Sequence, residues 1–341
     1  MIDLRSDTVT RPCPAMREAM ARADVDDDVI DIDPTVARLQ DCLAEMLGKE
    51  AAIFVPSGTM ANQIALRLHC QPGDEFICEE ACHIYNYEQG AYAQLSGLAV
   101  RTVPSDNGLP ALETLQGLIR PDNEHAVRTK LLCLENTHNL GGGRILPYDD
   151  VQAVCQWAQD HGLRRHLDGA RLFNAVVGGG ISASDWSRHF DTVNICFSKG
   201  LGAPVGSALA GPKDLIEEAR RHRKVFGGGM RQAGIIAAGA LYALENNVER
   251  LAEDHRNAQI LAEAIRQTPA LTLDPDQVDT NIIIFGVDPA WGDAFQFADA
   301  LQEAGVRAIA FGPRRVRLIT HLDINEQQTR TAAAEIQKIA R

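Results

Sequence analysis

Apolar and polar positions along the chain fall into a rhythm of short strands and longer helices. Asp33-Pro34 offers an N-cap followed by a proline at the first helical position. Val36, Leu39, Leu43 and Leu47 follow at helical spacing, and Gly48 stops the run. Apolar runs then predict strands over 51–55, 75–78, 98–103, 131–134, 165–167 and 193–197. Between them the pattern predicts helices over 58–70, 83–95, 109–119 and 148–161, the last closed by Gly162. Strands alternating with helices of this length imply an α/β fold with a mostly parallel sheet flanked by helices.

Helices dominate from Lys213 to about Thr268, with a break at Gly227-Gly228-Gly229. After Pro269 the pattern changes to strands over 281–287, 306–311 and 316–319 and helices over 293–304 and 326–339. This reads as a smaller α+β C-terminal domain. The expected organisation is an extended N-terminal arm over 1–13, a large domain over 14–250 and a small domain over 251–341.

Composition narrows the function. The chain has 341 residues, 45% hydrophobic and 23% charged, with a net charge of −13. That balance speaks against nucleic acid or an anionic membrane surface as the main partner. The start, Met1 to Asp7, lacks an apolar h-region, and no apolar run approaches membrane-spanning length, so a cytoplasmic protein is expected. None of the eight cysteines forms a Cys-x-x-Cys pair, which predicts reduced core thiols and no zinc or other metal site.

Candidate chemistry centres on Cys196 to Ser207, an apolar run, then Lys199, then a glycine-rich turn. The chain has six lysines against 27 arginines, and only Lys199 has small, apolar neighbours. Such an environment strips hydration from an ammonium and favours a nucleophilic amine, as a Schiff base requires. A surface lysine at a strand end is the plainer alternative. Three other stretches stand at strand ends, where open α/β sheets bind ligands. Ser57-Gly58-Thr59 can cup a phosphate at a helix N-terminus, or simply cap it. Asp168 can pair with a protonated ring nitrogen and Arg171 can project to the same side, or the two can form a local ion pair. His83 can stack on a ring, or be structural. Taken jointly, a phosphate cup, a carboxylate, a stacking face and an amine describe pyridoxal 5′-phosphate.

Longer motifs carry a resemblance: Asp3 to Thr10, Pro56 to Asn62, Leu134 to Asn139, His166 to Asn174, Cys196 to Ser207, and Arg317 to His321. Over nearly its whole length the chain resembles the low-specificity L-threonine aldolases among the fold-type I pyridoxal-phosphate enzymes. The resemblance implies a homotetramer built as a dimer of dimers. It also implies reversible retro-aldol cleavage of β-hydroxy-α-amino acids (L-threonine, L-allo-threonine, phenylserine-type analogues) to glycine and an aldehyde. By motif match Lys199 would carry the cofactor, Asp168 its ring nitrogen, His83 its face, and Gly58 and Thr59, beside Ser57, its phosphate. Ser6, Arg171 and Arg317 would hold the substrate carboxylate.

The proton-accepting base is open between His125, His83 and a water that they orient, with Glu88 placed to help. Lys224 and Arg231 flank the Gly227–Gly229 turn and could reach a phosphate across a subunit interface, or be solvated charge. Ile30 and Ile32 depart from the family, which usually has an aromatic residue there, so a different substrate preference is expected if that loop lines the pocket. A β-eliminating lyase, another fold-type I enzyme, or a non-catalytic protein that binds the cofactor are the alternatives.

Overall fold

A computed structural model describes every residue except Asn107 and Arg341. Its thirteen strands in chain order are β1 (Ile2–Asp3), β2 (Ala51–Val55), β3 (Glu75–Glu79), β4 (Ala99–Val103), β5 (Thr129–Glu135), β6 (Arg164–Asp168), β7 (Thr192–Cys196), β8 (Ser207–Gly211), β9 (Leu271–Leu273), β10 (Ile282–Val287), β11 (Val306–Arg307), β12 (Ile309–Ala310) and β13 (Arg315–Ile319). Seven form the main sheet in the order β2-β8-β7-β6-β5-β3-β4. From β4 to β7 all neighbours are parallel; β8 runs antiparallel to both β7 and β2. The fold is α/β with a mostly parallel sheet, as the alternation predicts.

Helices cover the sheet for the expected physical reasons. Asp33 Oδ1 accepts from the backbone N–H groups of Thr35 (2.9 Å) and Val36 (3.1 Å), opening the helix Pro34–Leu47. Val36, Leu39, Leu43 and Leu47 are at most 1% exposed. Each contributes roughly 1.5–3 kcal/mol by leaving water. Gly48 then adopts φ 61° and closes the helix. No helix among the described residues is long and apolar enough to cross a membrane.

Several elements differ from expectation. The helix expected over 83–95 is two short ones, His83–Asn86 and Ala91–Ser96, separated where Gln89 and Gly90 both take positive φ. The helix expected over 109–119 shrinks to Leu112–Leu115 between Pro110 and Gly117, which sits at φ 75°. Strand β8 has no strand signature in its residues, since Ser207-Ala208-Leu209-Ala210-Gly211 lacks β-branched side chains, yet it is buried throughout. The run 306–311 breaks into β11 and β12. The N-terminal segment is not merely extended: β1 pairs with β11, and Asp7–Val9 forms a 3₁₀ turn.

Two large apolar cores result. One packs around the main sheet and takes in Leu251; the other, with the antiparallel sheet β12-β13-β10-β9, contains Leu261, Phe285 and Phe297 and also Ile2 and Leu4. The first residues therefore tie the N-terminal segment to the C-terminal unit.

Candidate active site

Strand register assembles the site. Glu135 of β5, Asp168 of β6 and Asn194 of β7 are neighbours in register, so their side chains share one face at the carboxyl ends of three strands. Residues one step back, Leu134, Leu167 and Val193, face the opposite way into the main core. The helix Gly58–His69 presents Asn62 and Gln63, both buried, among otherwise apolar neighbours.

Asp168 is 4% exposed. It accepts from Asn62 Nδ2 at 2.8 Å, Asn194 Nδ2 at 3.2 Å and the Ala170 N–H at 3.2 Å. Burial pushes its carboxyl up, but the positive charges of His83 and Lys199 and the Asn62 bond outweigh that and hold it below the ordinary range. His83 Nδ1 lies 3.1 Å from Glu88 Oε1, and Glu88 also accepts from Asn62 (2.8 Å) and Gln63 (2.7 Å). Burial works against the charged His83 ring, yet Glu88, Asp168 and Glu135 raise it above its ordinary value. Burial raises the Glu88 carboxyl, and the Asp168 charge adds to the rise. Glu135 Oε2 accepts the His83 backbone N–H at 2.6 Å, which anchors the turn that carries the ring.

Lys199 lies in the connection from β7 to β8. The connection is held by Phe197 N–H to Gly206 (3.0 Å), Ala203 N–H to Phe197 (3.1 Å) and Gly202 N–H to Lys199 (2.8 Å). Gly206 is required there: at φ 108°, a Cβ would meet Phe54 Cε2 at 2.4 Å. Among the described residues Lys199 Nζ has no hydrogen-bond or ion-pair partner. Its charge draws down Asp7 and Asp168, and it brings the buried Cys196 thiol below its ordinary range although burial pushes that group up.

Arg171 reaches a carboxylate from elsewhere. Its Nε and Nη2 donate to the two oxygens of Asp7, both at 2.7 Å, and the pair is buried. The alternative of a local Asp168–Arg171 pair is not found, and the guanidinium is not wholly free either. Burial raises the Asp7 carboxyl, but Arg171 overrides it and, with Lys199 and Asn281, holds it far below the ordinary range. Among the described residues Arg317 has no carboxylate partner and its buried Nε has none at all; Nη1 donates to Asn139 Oδ1 at 3.3 Å. Burial and the nearby Arg171 charge lower its pKa. Ser6 Oγ accepts from the Thr8 N–H at 3.2 Å and thereby starts the turn that presents Asp7.

The other expected residues divide. Ser57 Oγ caps its helix through the Met60 N–H at 3.2 Å, leaving the first N–H groups, those of Gly58 and Thr59, at the helix end. A Cβ on Gly58 would lie 3.5 Å from Ser207 Oγ and 3.6 Å from Asn194 Nδ2, so the cup borders the Asp168 row. Lys224 is exposed near Gly229, and Arg231 pairs with Asp27 at 3.0 Å on the surface. His125 does not join the cluster within one chain. Its ring is 87% exposed, 3.6 Å from Glu124, in the loop ahead of β5. That is the amino end of a strand whose carboxyl end holds Glu135, roughly 20 Å away at strand rise. Ile30 and Ile32 are exposed on a loop whose Asp28 N–H bonds to the Arg231 carbonyl.

Asp7, Asn62, Asn194 and Glu135 carry the site's hydrogen bonds without having been assigned roles from the sequence. Three of them stand inside the resembling motifs. Their partners lie up to 274 positions away, as Asn281 does from Asp7, beyond what local spacing reveals.

Comparison with known proteins identifies the family. The Beta-eliminating lyase family matches residues 3–288. A protein of Escherichia coli (strain K12) named Low specificity L-threonine aldolase is 46% identical over 340 residues, covering 98% of each chain. Low-specificity L-threonine aldolase 1 of Arabidopsis thaliana is 43% identical over 328 residues, covering 95% of this chain and 92% of its own. The solved structure of a Leishmania major threonine aldolase superposes with a TM-score of 0.85 over the full length of both chains at 21% identity, a likeness of fold. A Sphingomonas wittichii serine palmitoyltransferase does so at 0.77 and 19% identity, covering 99% of this chain and 86% of its own. Within the lyases, the full-length relatives narrow the choice to aldolases. The chain belongs to the low-specificity L-threonine aldolase family and is accordingly a pyridoxal-phosphate-dependent aldehyde-lyase.

Proposed function

We propose that this chain cleaves β-hydroxy-α-amino acids, L-threonine and L-allo-threonine among them, reversibly to glycine and an aldehyde, and that phenylserine-type analogues are accepted. The observation that carries this reading is a buried carboxylate, Asp168, held among the described residues by amides alone, beside a Lys199 and an Arg317 that have no counter-ion among those residues.

The residues suit pyridoxal 5′-phosphate. Asp168 keeps its negative charge and can take a protonated ring nitrogen. His83 offers a ring face that is about one-third open, at 32% exposure. Lys199 is the amine for the aldehyde. Ser57, Gly58 and Thr59 offer a helix N-terminus to the phosphate, and Ser207 Oγ next to Gly58 is a buried hydroxyl without a partner. Lys224 and Arg231 complete the phosphate site from a neighbouring subunit of a homotetramer. When bound, the cofactor supplies an electron sink for the pair released as the Cα–Cβ bond breaks.

The chain's own groups do the rest. Arg317, with Ser6 and the remaining edge of Arg171, binds the substrate carboxylate; an anion there relieves the repulsion between the two guanidiniums. Asp7 keeps Arg171 in place. The His83 nitrogen not bound to Glu88 holds the water that accepts, or itself accepts, the β-hydroxyl proton. Loss of that proton turns the β-carbon into an aldehyde carbonyl, and a proton delivered to Cα completes glycine.

The test is incubation with L-threonine, L-allo-threonine and L-phenylserine, with glycine and aldehyde measured for native protein and Lys199→Ala. Glycine release by the native protein and its loss in the variant are expected. Pyruvate and ammonia as products, or equal turnover by Lys199→Ala, would overturn the assignment.

A further inference from the structure

Four hydrogen bonds meet at Asn62. Its Oδ1 lies 3.0 Å from His166 Nε2 and accepts from Asn194 Nδ2 at 3.1 Å. Its Nδ2 donates to Asp168 Oδ2 and Glu88 Oε1, each at 2.8 Å. An asparagine amide has two N–H donors and one oxygen with two lone pairs, so the whole capacity is used. The orientation follows from the partners, since the reverse would set an oxygen against two carboxylates.

One amide orientation dictates the next proton. Asn62 Oδ1 can only accept, so His166 carries its hydrogen on Nε2. His166 Nδ1 is then bare and takes the Thr192 hydroxyl proton across 2.9 Å. Thr192 Oγ1 in turn accepts from His69 Nε2, also at 2.9 Å. The groups facing His166 are Asn62, Thr192 and, in charge, Asp168; His69 lies beyond Thr192. Burial lowers His166 to about 4 and His69 to about 3, so both rings are neutral at physiological pH. Register and helix spacing build the chain. His166 and Thr192 are partners in register on β6 and β7, and Asn62 and His69 stand two turns apart on one helix.

We infer that Asn62 is a positioning residue that sets Asp168 and Glu88 apart as two aimed, separately held carboxylates, with the His166 and Asn194 donors fixing its orientation. This rests on the proposed placement of the cofactor against Asp168 and His83. Without the amide, two neighbouring carboxylates relieve their repulsion by sharing one proton, and Asp168 loses the charge that a ring nitrogen needs.

The test uses holoenzyme variants Asn62→Leu, His166→Leu, His166→Gln and Asp168→Asn. The readouts are pyridoxal phosphate affinity by equilibrium dialysis and the pH titration of its absorbance when bound. Asn62→Leu is expected to weaken cofactor binding about tenfold or more and to move the titration in the same direction as Asp168→Asn. His166→Leu follows it, and His166→Gln, which keeps a donor, recovers most of the effect. Unchanged affinity and titration in Asn62→Leu beside altered ones in Asp168→Asn overturn the inference alone. No change in Asp168→Asn overturns the cofactor placement beneath it. Selective ¹⁵N-histidine NMR of the native protein needs no variant to fold. A neutral His166 with its proton on Nε2 between about pH 5.5 and 8 supports the inference, and an imidazolium or an Nδ1–H ring refutes it.

Discussion

Glu75 and Asp168 are buried carboxylates of one sheet, at opposite ends of parallel strands, and their surroundings separate structure from chemistry. Glu75, at the start of β3, accepts from Arg101 at 3.1 Å, Arg120 at 3.0 Å and Thr129 Oγ1 at 3.2 Å. Burial pushes it up, and the two arginines more than compensate. Its charge is cancelled locally. Asp168, at the end of β6, has amide donors and no arginine among the described residues. Amides satisfy lone pairs without cancelling charge, so Asp168 keeps a field that a cationic ligand can use. Of the two arginines three positions from it, Arg171 is taken up by Asp7 and Arg165 by Asp191.

The largest effect should come from Lys199→Ala, with glycine release falling on the order of a thousandfold or more while the melting temperature stays close to native. Next, Asp168→Asn should lower kcat about a hundredfold or more with a small effect on stability. Glu75→Gln should do the reverse: unchanged kcat and a loss of about 1–3 kcal/mol in urea unfolding. The lower end is favoured because Arg101 and Arg120 are 27% and 39% exposed and screened by water. A large kcat effect from Glu75→Gln would break the contrast between the two carboxylates. Arg317→Gln should raise KM for L-threonine about tenfold to a hundredfold with a smaller change in kcat, as measured by steady-state kinetics.

The smallest effect concerns pH. His83 has a folded pKa raised above its ordinary 6.5. Its protonated form therefore adds stability that is fully present below 6.5 and disappears as pH rises through the raised value. The native-minus-His83→Asn difference in unfolding free energy should be below about 1 kcal/mol and should shrink as pH increases across that window. A difference that grows with pH would show that Glu88 and Asp168 do not hold the proton on His83.

Much of the fold was legible because burial periodicity is local. Strand β2 and the final helix Glu326–Ile339 fall where the pattern placed them, and the helix Pro34–Leu47 has the expected cap and stop. Where short-range signals conflicted, expectation failed. Two positive-φ residues cut the segment 83–95, and a strand of small residues, β8, carries no strand signal of its own. Chemically, Lys199, Asp168, His83 and the Ser57–Thr59 cap stood out because each is an unusual residue at a strand end. Asp7 and Asn62 did not, since their value lies in partners that the chain brings in from far away.

By itself, the amino-acid sequence determined the alternating α/β pattern, the lysine and carboxylate that a pyridoxal-type cofactor needs, and the family. Only the tertiary structure decided which charges remain available. It gave Arg171 to Asp7, left Arg317 without a counter-ion among the described residues, put His125 at the far end of its strand, and joined Asp168 and Glu88 through Asn62. The physical reason is that residue type sets what a group can do, whereas desolvation and partner geometry set whether its charge is spent or kept.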